Sequence, residues 1–250
     1  MRHIKRFLGR VPGWIIILVV VTVFVLESLL GSDKFLNTLQ LLRSGLLVTV
    51  ELSLISFAIS LIIGIVVGLG RASRNPVISF PLGLYVEVFR AIPLFVVFIY
   101  FSYVITPTVA AWLGVKNINE FTRAIIALGI AEGAYIAEDI RAGIESIGVG
   151  QMEASKSIGM SFFQSMRFVI LPQAIRNVMP TLGNDFIGLV KDSSIASLIA
   201  VEELTHLGRV NVALTFDTFT TWNAVTLLYV VMTLGLAAGL SILEERTKIH

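Results

Sequence analysis

Six apolar runs, each near the length of a membrane span, constrain this chain more than any other feature. A spanning helix takes about 20 residues. The runs extend from Trp14 to about Leu30, Leu46 to Leu69, Tyr85 to about Ile105, Arg123 to about Ile140, Met179 to about Val201, and Trp222 to about Leu243, and they use most of the 250 residues. A mean hydropathy of +0.87 with only 14% charged residues is too apolar for a soluble domain. Lipid offers no partner to a backbone N–H or C=O, so such segments bond internally as helices, and the expected fold class is an all-α integral membrane protein. Little chain is left for a separate catalytic domain. Cysteine is absent, and His3, His206 and His250 are too scattered for a metal cluster, so no metal site is expected. No phosphate-binding G-x-x-x-x-G-K-[ST], H-E-x-x-H or G-x-S-x-G sequence occurs.

Charge fixes the expected topology. Arg2, Lys5, Arg6 and Arg10 precede the first run, Lys156, Arg167 and Arg176 follow the fourth, and Arg246 and Lys248 follow the last. The positive-inside pattern puts all three groups in the cytoplasm, which six spans satisfy. A basic start before an apolar stretch also begins a signal peptide, but this run is long and lacks a small-residue cleavage pattern, so it reads as a retained span. Residues 31–44, 107–122 and 202–221 then become external connections. Gly64-x-x-x-Gly68 and the Gly235/Gly239 pair read as close-packing sites.

The polar island Glu153–Pro172 is a water-facing segment. Met152, Ser155, Ile158, Gly159, Phe162, Phe163 and Met166 recur at helical spacing, with Glu153, Lys156, Gln164 and Arg167 opposite. A short helix pair broken near Gly159 is expected, with Ser161 and Gln164 as a capping box and Leu171-Pro172 as the stop. Such a surface helix suits docking into a groove of a soluble partner.

The fifth run is unusually polar. Thr181, Asn184, Asp185, Gly188, Lys191, Asp192 and Ser194 or Ile195 form one broad stripe, and Glu132 lies near the middle of the fourth run. A charge at mid-membrane costs on the order of 3 kcal/mol even on permissive scales, so these groups should face a polar interior. Two carboxylates seven residues apart lie about 10 Å apart along a helix, which disfavours Asp185 and Asp192 as a hydrolytic pair. Glu138 and Arg141, three apart, suit an intrahelical ion pair.

Several phrases carry a resemblance. Glu153-Ala154-Ser155 with Gly159, followed by Val169-Ile170-Leu171-Pro172, resembles the cytoplasmic EAA loop of the membrane permeases of ATP-binding-cassette (ABC) importers. Gly133-Ala134-Tyr135 with Glu138 and Arg141 resembles the polar amino-acid branch of that family, as does Gly183-Asn184-Asp185 followed by Lys191-Asp192-Ser193-Ser194. Glu87-Val88-Phe89-Arg90-Ala91-Ile92-Pro93 is similar to a further family phrase, with Ala-Ile in place of its Gly-Thr. The resemblance implies a five-helix importer-permease core over residues 45–245. Residues 1–31 add a basic cytoplasmic segment and an extra transmembrane helix, and a coupling loop spans about 146–176.

It further implies a non-catalytic subunit of the bacterial cytoplasmic (inner) membrane, carrying a polar or charged amino acid. Glu153, Ala154, Gly159, Phe162 and Pro172 would face a cytoplasmic ATPase dimer that binds the ATP and Mg itself. On the residues themselves, Glu132, Asn184, Asp185, Lys191, Asp192 and Ser193 are expected to line the substrate path, the carboxylates meeting an ammonium or guanidinium group and Lys191 a carboxylate, or else to form interhelical pairs that hold the bundle together. The expected partners are that ATPase dimer, a second permease, an extracytoplasmic binding protein, the amino acid and lipid. No cofactor of its own and no nucleic acid are expected. The competing reading is an ion-coupled secondary transporter using Glu132, Asp185, Lys191 and Asp192, which accounts for the charges but not for the docking segment.

Overall fold

The computed structural model describes residues 32–73 and 75–247, so the first expected span lies outside the described residues. Everything regular in the described residues is helical.

The first helix, α1, runs unbroken from Asp33 to Arg71. The expected external connection at 31–44 is therefore largely helix. Asn37, Thr38, Gln40, Arg43 and Ser44 lower the hydropathy without breaking the backbone pattern, and Asp33 in the first turn and Arg71 in the last complement the helix dipole. At 1.5 Å per residue, 39 residues span about 58 Å, nearly twice the hydrocarbon thickness, so α1 projects beyond the lipid.

Helix α2, Pro76–Ala91, is capped by Asn75, whose side chain accepts from the Val77 N–H. It ends because Pro93 forces Ile92 into an extended conformation (φ −97°, ψ 134°). The expected kinked span from Tyr85 is thus two helices, and Tyr85 belongs to α2. Helix α3, Leu94–Trp112, contains a π-helical turn at Phe101–Ile105 and runs through Pro107, so the expected external loop at 107–122 shrinks to residues 113–119. Asn119 then caps α4, Glu120–Glu145, by accepting from the Thr122 N–H.

Helices α1 and α4 form the central seam by reciprocal packing. A methyl on Gly64 would strike Ile136, and one on Gly68 would sit 2.8 Å from the Ala137 carbonyl oxygen. In return, a methyl on Gly129 or Gly133 would meet the Cγ2 atoms of Ile59 and Ile63 at 2.9 and 2.8 Å. Glycine on each helix admits an isoleucine of the other, the close approach that membrane helices use in place of hydrophobic exclusion. The Ser60 hydroxyl donates across the seam to the Gly129 carbonyl at 3.1 Å.

After α4 come α5, Val149–Ser157, and α6, Phe162–Ser165. A π turn at Met166–Ile170 leads without interruption into α7, Leu171–Asp192. Leu171-Pro172 was expected to end the segment, and the next span to start near Met179. Instead Pro172 is the second residue of α7, as Pro107 is the second residue of the helical turn after the earlier π turn. In both places the wider i to i+5 bonding, Thr106 N–H to Phe101 C=O and Leu171 N–H to Met166 C=O, opens the turn ahead of a residue with no N–H to give.

A 3-10 turn, Ser193–Ile199, closes α7 and ends at Ala200 in the left-handed region (φ 64°). The expected loop at 202–221 folds as α8, Leu204–Thr215, before α9, Thr218–Thr247. Buried Glu203 caps α8, accepting from the N–H groups of Thr205 (2.9 Å) and His206 (2.7 Å) and from the Tyr229 hydroxyl (3.1 Å). Burial pushes its carboxyl above the usual range, against these donors.

One core cluster joins α1, α3, α4 and α7 through Leu52, Phe98, Leu128 and Leu189. A second ties α1 to α8 and α9 through Phe35, Leu42, Leu204 and Val225. By length and composition α1, α3 and α9 can cross a membrane, whereas α4 and α7 are long enough but carry most of the intramembrane charge. A methyl added at Gly235 or Gly239, both expected to pack, would meet nothing within 4 Å among the described residues.

Gly64→Val should therefore lower bundle stability by about 1–3 kcal/mol, the usual penalty for overpacking. Thermal unfolding in detergent reads this as a lowered midpoint, with Gly150→Ala, whose added methyl meets open space, left at the wild-type value.

Candidate functional site

Helices α4 and α7 diverge around a cavity of about 600 Å³, within the range of small-molecule sites. Glu132, Tyr135 and Asp139 reach it from α4 because residues three, four and seven apart share a face. Thr181, Asn184, Asp185, Gly188 and Asp192 do so from α7 for the same reason, and Arg90 enters from the end of α2. Glu132 is only 8% exposed, and its carboxylate has no hydrogen bond or ion pair among the described residues. Oδ2 of Asp185 is likewise buried without a partner. The carboxyls of Asp139 and Asp185 face each other across the seam.

The structure thus brings four of the expected path residues together: Glu132, Asn184, Asp185 and Asp192. It separates the other two. Adjacent residues lie about 100° apart around a helix, so Lys191 points away from Asp192 and lines a different pocket, with Ser194, Thr205, Trp222 and Tyr229. Ser193 is fully buried, its hydroxyl donating to the Val190 carbonyl at 2.8 Å. The single broad stripe expected on α7 is corrected accordingly. Asp139 and the cavity position of Tyr135 escaped the sequence reading, although Asp139 stands seven residues after Glu132 and shares its face.

At one end of the cavity Glu138 gathers charges from three helices. Arg141 donates to it from Nη2 at 2.6 Å and Nε at 3.2 Å. Arg71 of α1 pairs with it directly, and Arg90 of α2 stands 3.8 Å away. The expected Glu138–Arg141 pair is present, but as part of a cross-link between α1, α2 and α4.

The polar segment folds as two short helices meeting at Gly159. There φ is +87°, a conformation glycine adopts without the Cβ penalty of other residues. The Ser161–Gln164 capping box forms: the Gln164 side chain accepts from the Ser161 N–H at 2.8 Å, and the Ser161 hydroxyl from the Gln164 N–H at 3.3 Å. Buried Ser155 joins the halves through a 2.7 Å hydroxyl contact with Ser165. Glu153, Ala154 and Pro172 are exposed. Ile158, Phe162 and Phe163, placed on the apolar face by periodicity, point outward, with Ile158 79% and Phe163 71% exposed. Clustered exposed side chains of this size mark an interaction surface.

Residues 60–249 match the family described as "Binding-protein-dependent transport system inner membrane component". The chain belongs to this family. Its relatives are amino-acid permeases. One is the glutamine transport system permease protein GlnP of Escherichia coli strain K12, 36% identical over 211 residues that cover 84% of this chain and 94% of that protein. Another is the arginine transport system permease protein ArgU of Corynebacterium glutamicum, 33% identical over 78% of this chain and 66% of its own length. A crystal structure of an amino acid ABC transporter with histidines superposes with a TM-score of 0.77 at 35% identity, covering 85% of this chain and 97% of that one. The inward-facing MetNI methionine ABC transporter matches with a TM-score of 0.73 at 20% identity, a likeness of fold.

This permease is therefore a membrane transport subunit of an ABC importer. Membership of the family implies ATPase and binding-protein partners, and no cofactor of the permease's own.

A carboxyl this buried that finds no bond among the described residues costs stability. Glu132→Met, similar in volume, should raise the thermal midpoint of the permease in detergent, corresponding to about 1–3 kcal/mol. A lowered midpoint would mean that the carboxyl is bonded after all.

Proposed function

We propose that this permease carries a polar or charged amino acid inward across the bacterial cytoplasmic membrane, with Glu132, Asn184, Asp185 and Asp192 along the path. The observation that carries the reading is continuity. The helix that begins at Phe162 runs through the π turn and Pro172 into α7, so the second half of the exposed segment shares one rod with the cavity carboxylates, and the Ser155–Ser165 contact joins the first half to it. A push at Glu153, Ala154, Gly159 and Phe162 moves Asp185 and Asp192 relative to α4. Two permeases, identical or paired with a sister subunit, would stand on a cytoplasmic ATPase dimer that binds the ATP and Mg. A soluble binding protein delivers cargo from outside.

When ATP closes the motor, the coupling segments are drawn together, and the cavity exchanges its cytoplasmic opening for an external one. In this arrangement both termini are cytoplasmic, and residues 1–31 supply a basic segment and one added span. Lys191 and Ser193 are left out of the path, since neither reaches the cavity. Nothing in the geometry favours an ion-coupled carrier over this assembly.

Co-purification tests the reading. Detergent-extracted permease should bring its ATPase with it, and Glu153→Ala or Gly159→Pro should strip the ATPase away while the permease still folds. Retention by both variants would contradict the coupling assignment. In reconstituted complex, Asp185→Asn should raise the amino-acid concentration that half-maximally stimulates ATP hydrolysis about tenfold if about 1.4 kcal/mol of cargo interaction is lost, and an unchanged concentration dependence would remove Asp185 from the path.

A further inference from the structure

The cavity's charge is lopsided. Glu132, Asp139, Asp185 and Asp192 line it beside Glu138, and among the described residues Arg90 is the one cation that lines it. Glu138 is already held by Arg71 and Arg141, so the other four carboxyls define what the space attracts. Glu132, 8% exposed and without a hydrogen bond or ion pair among the described residues, is the strongest pointer to a cationic ligand, because buried charges are ordinarily paired.

Arg90 is seated unlike its neighbours. Arg141 meets Glu138 at 2.6 Å, whereas Arg90 stops at 3.8 Å from the same carboxyl, and its guanidinium carbon stands 6.0 Å over the Tyr135 ring. Its side chain is 40% exposed, against 13% for Arg71 and 26% for Arg141. This is a loose ion pair with a distant cation–π contact at the edge of an acidic space. The group is free to swing because Glu138 stays satisfied without it.

Resting on the path assigned under Proposed function, we infer that Arg90 is a built-in stand-in for the cargo, and that the cavity takes amino acids with a guanidinium or ammonium side chain. The arriving cation displaces Arg90 from the Tyr135 face and the carboxyls around it. Arg90 then lowers apparent affinity by the fraction of time it occupies the site, which favours release once the cavity opens inward. A neutral side chain such as a carboxamide is not drawn to the carboxyls and leaves Arg90 in place.

The test uses the intact permease–ATPase complex in lipid nanodiscs without the binding protein, and equilibrium binding of labelled arginine, lysine and glutamine. Arginine and lysine should bind more tightly than glutamine. Arg90→Ala and Arg90→Gln should each tighten arginine about tenfold, if Arg90 fills the site some nine-tenths of the time, with glutamine unchanged because its carboxamide does not compete for the place Arg90 holds. Arg90→Lys should stay near wild type. Glutamine binding as tight as arginine would overturn the cargo class.

Arginine affinity unchanged or weakened in both Arg90→Ala and Arg90→Gln would overturn the stand-in. If Glu132→Gln and Asp185→Asn still weaken arginine, only the inference falls. If they too leave arginine untouched, the path assignment falls with it.

Discussion

A carboxylate inside a lipid-spanning bundle must meet a cation, a hydrogen-bond donor or water, and the seam between α4 and α7 is arranged around that requirement. Among the described residues Glu132 has no hydrogen bond or ion pair and Asp185 Oδ2 is buried without a partner, and both border the same 600 Å³ cavity. Glu138, at the edge of the cavity, is treated in the opposite way, with Arg71 and Arg141 fastened to it and Arg90 nearby. Saturated charge binds three helices together, and unsaturated charge lines the space between two of them.

The packing makes that space possible. Because glycines and isoleucines interlock along α1 and α4, one wall is rigid, and the Thr49, Ser53, Ser56 and Ser60 hydroxyls are buried in α1 on the same spacing. The opposite wall, α7, is a continuation of the exposed segment that begins at Phe162. Under the proposed function, a packed wall facing one tied to the coupling segment is the arrangement a gated path requires. The π turn ahead of Pro172 matters to that proposal, since a true helix stop would have disconnected the segment from α7.

Local chemistry was legible in the sequence. The break at Gly159 and the Ser161–Gln164 box depend on a few adjacent residues, and both form. The Gly64/Gly68 pair could be read as a packing site because close approach is what that spacing permits. What sequence misjudged were boundaries and directions. Asp33–Ser44 looked like a loop because its polar residues lower hydropathy, although polarity alone does not break a helix. Pro93 ends a helix, whereas Pro107 and Pro172 follow π turns and Pro81 and Pro180 sit inside regular helix, so the residue type alone does not announce the break. Lys191 sits at the margin of the α7 stripe, where its phase sends the ammonium toward α9. Asp139 shares a face with Glu132 but was passed over beside the more conspicuous Glu138 and Arg141.

The absence of cysteine makes the central claim directly measurable. A single Asn184→Cys label site on α7 can be probed with a membrane-impermeant maleimide in sealed vesicles containing the whole complex. The account predicts labelling from the cytoplasmic face without nucleotide and from the external face when ATP is bound but not hydrolysed. Labelling that ignores nucleotide, or never occurs from either side, would contradict a water-filled path moved by the coupling segment.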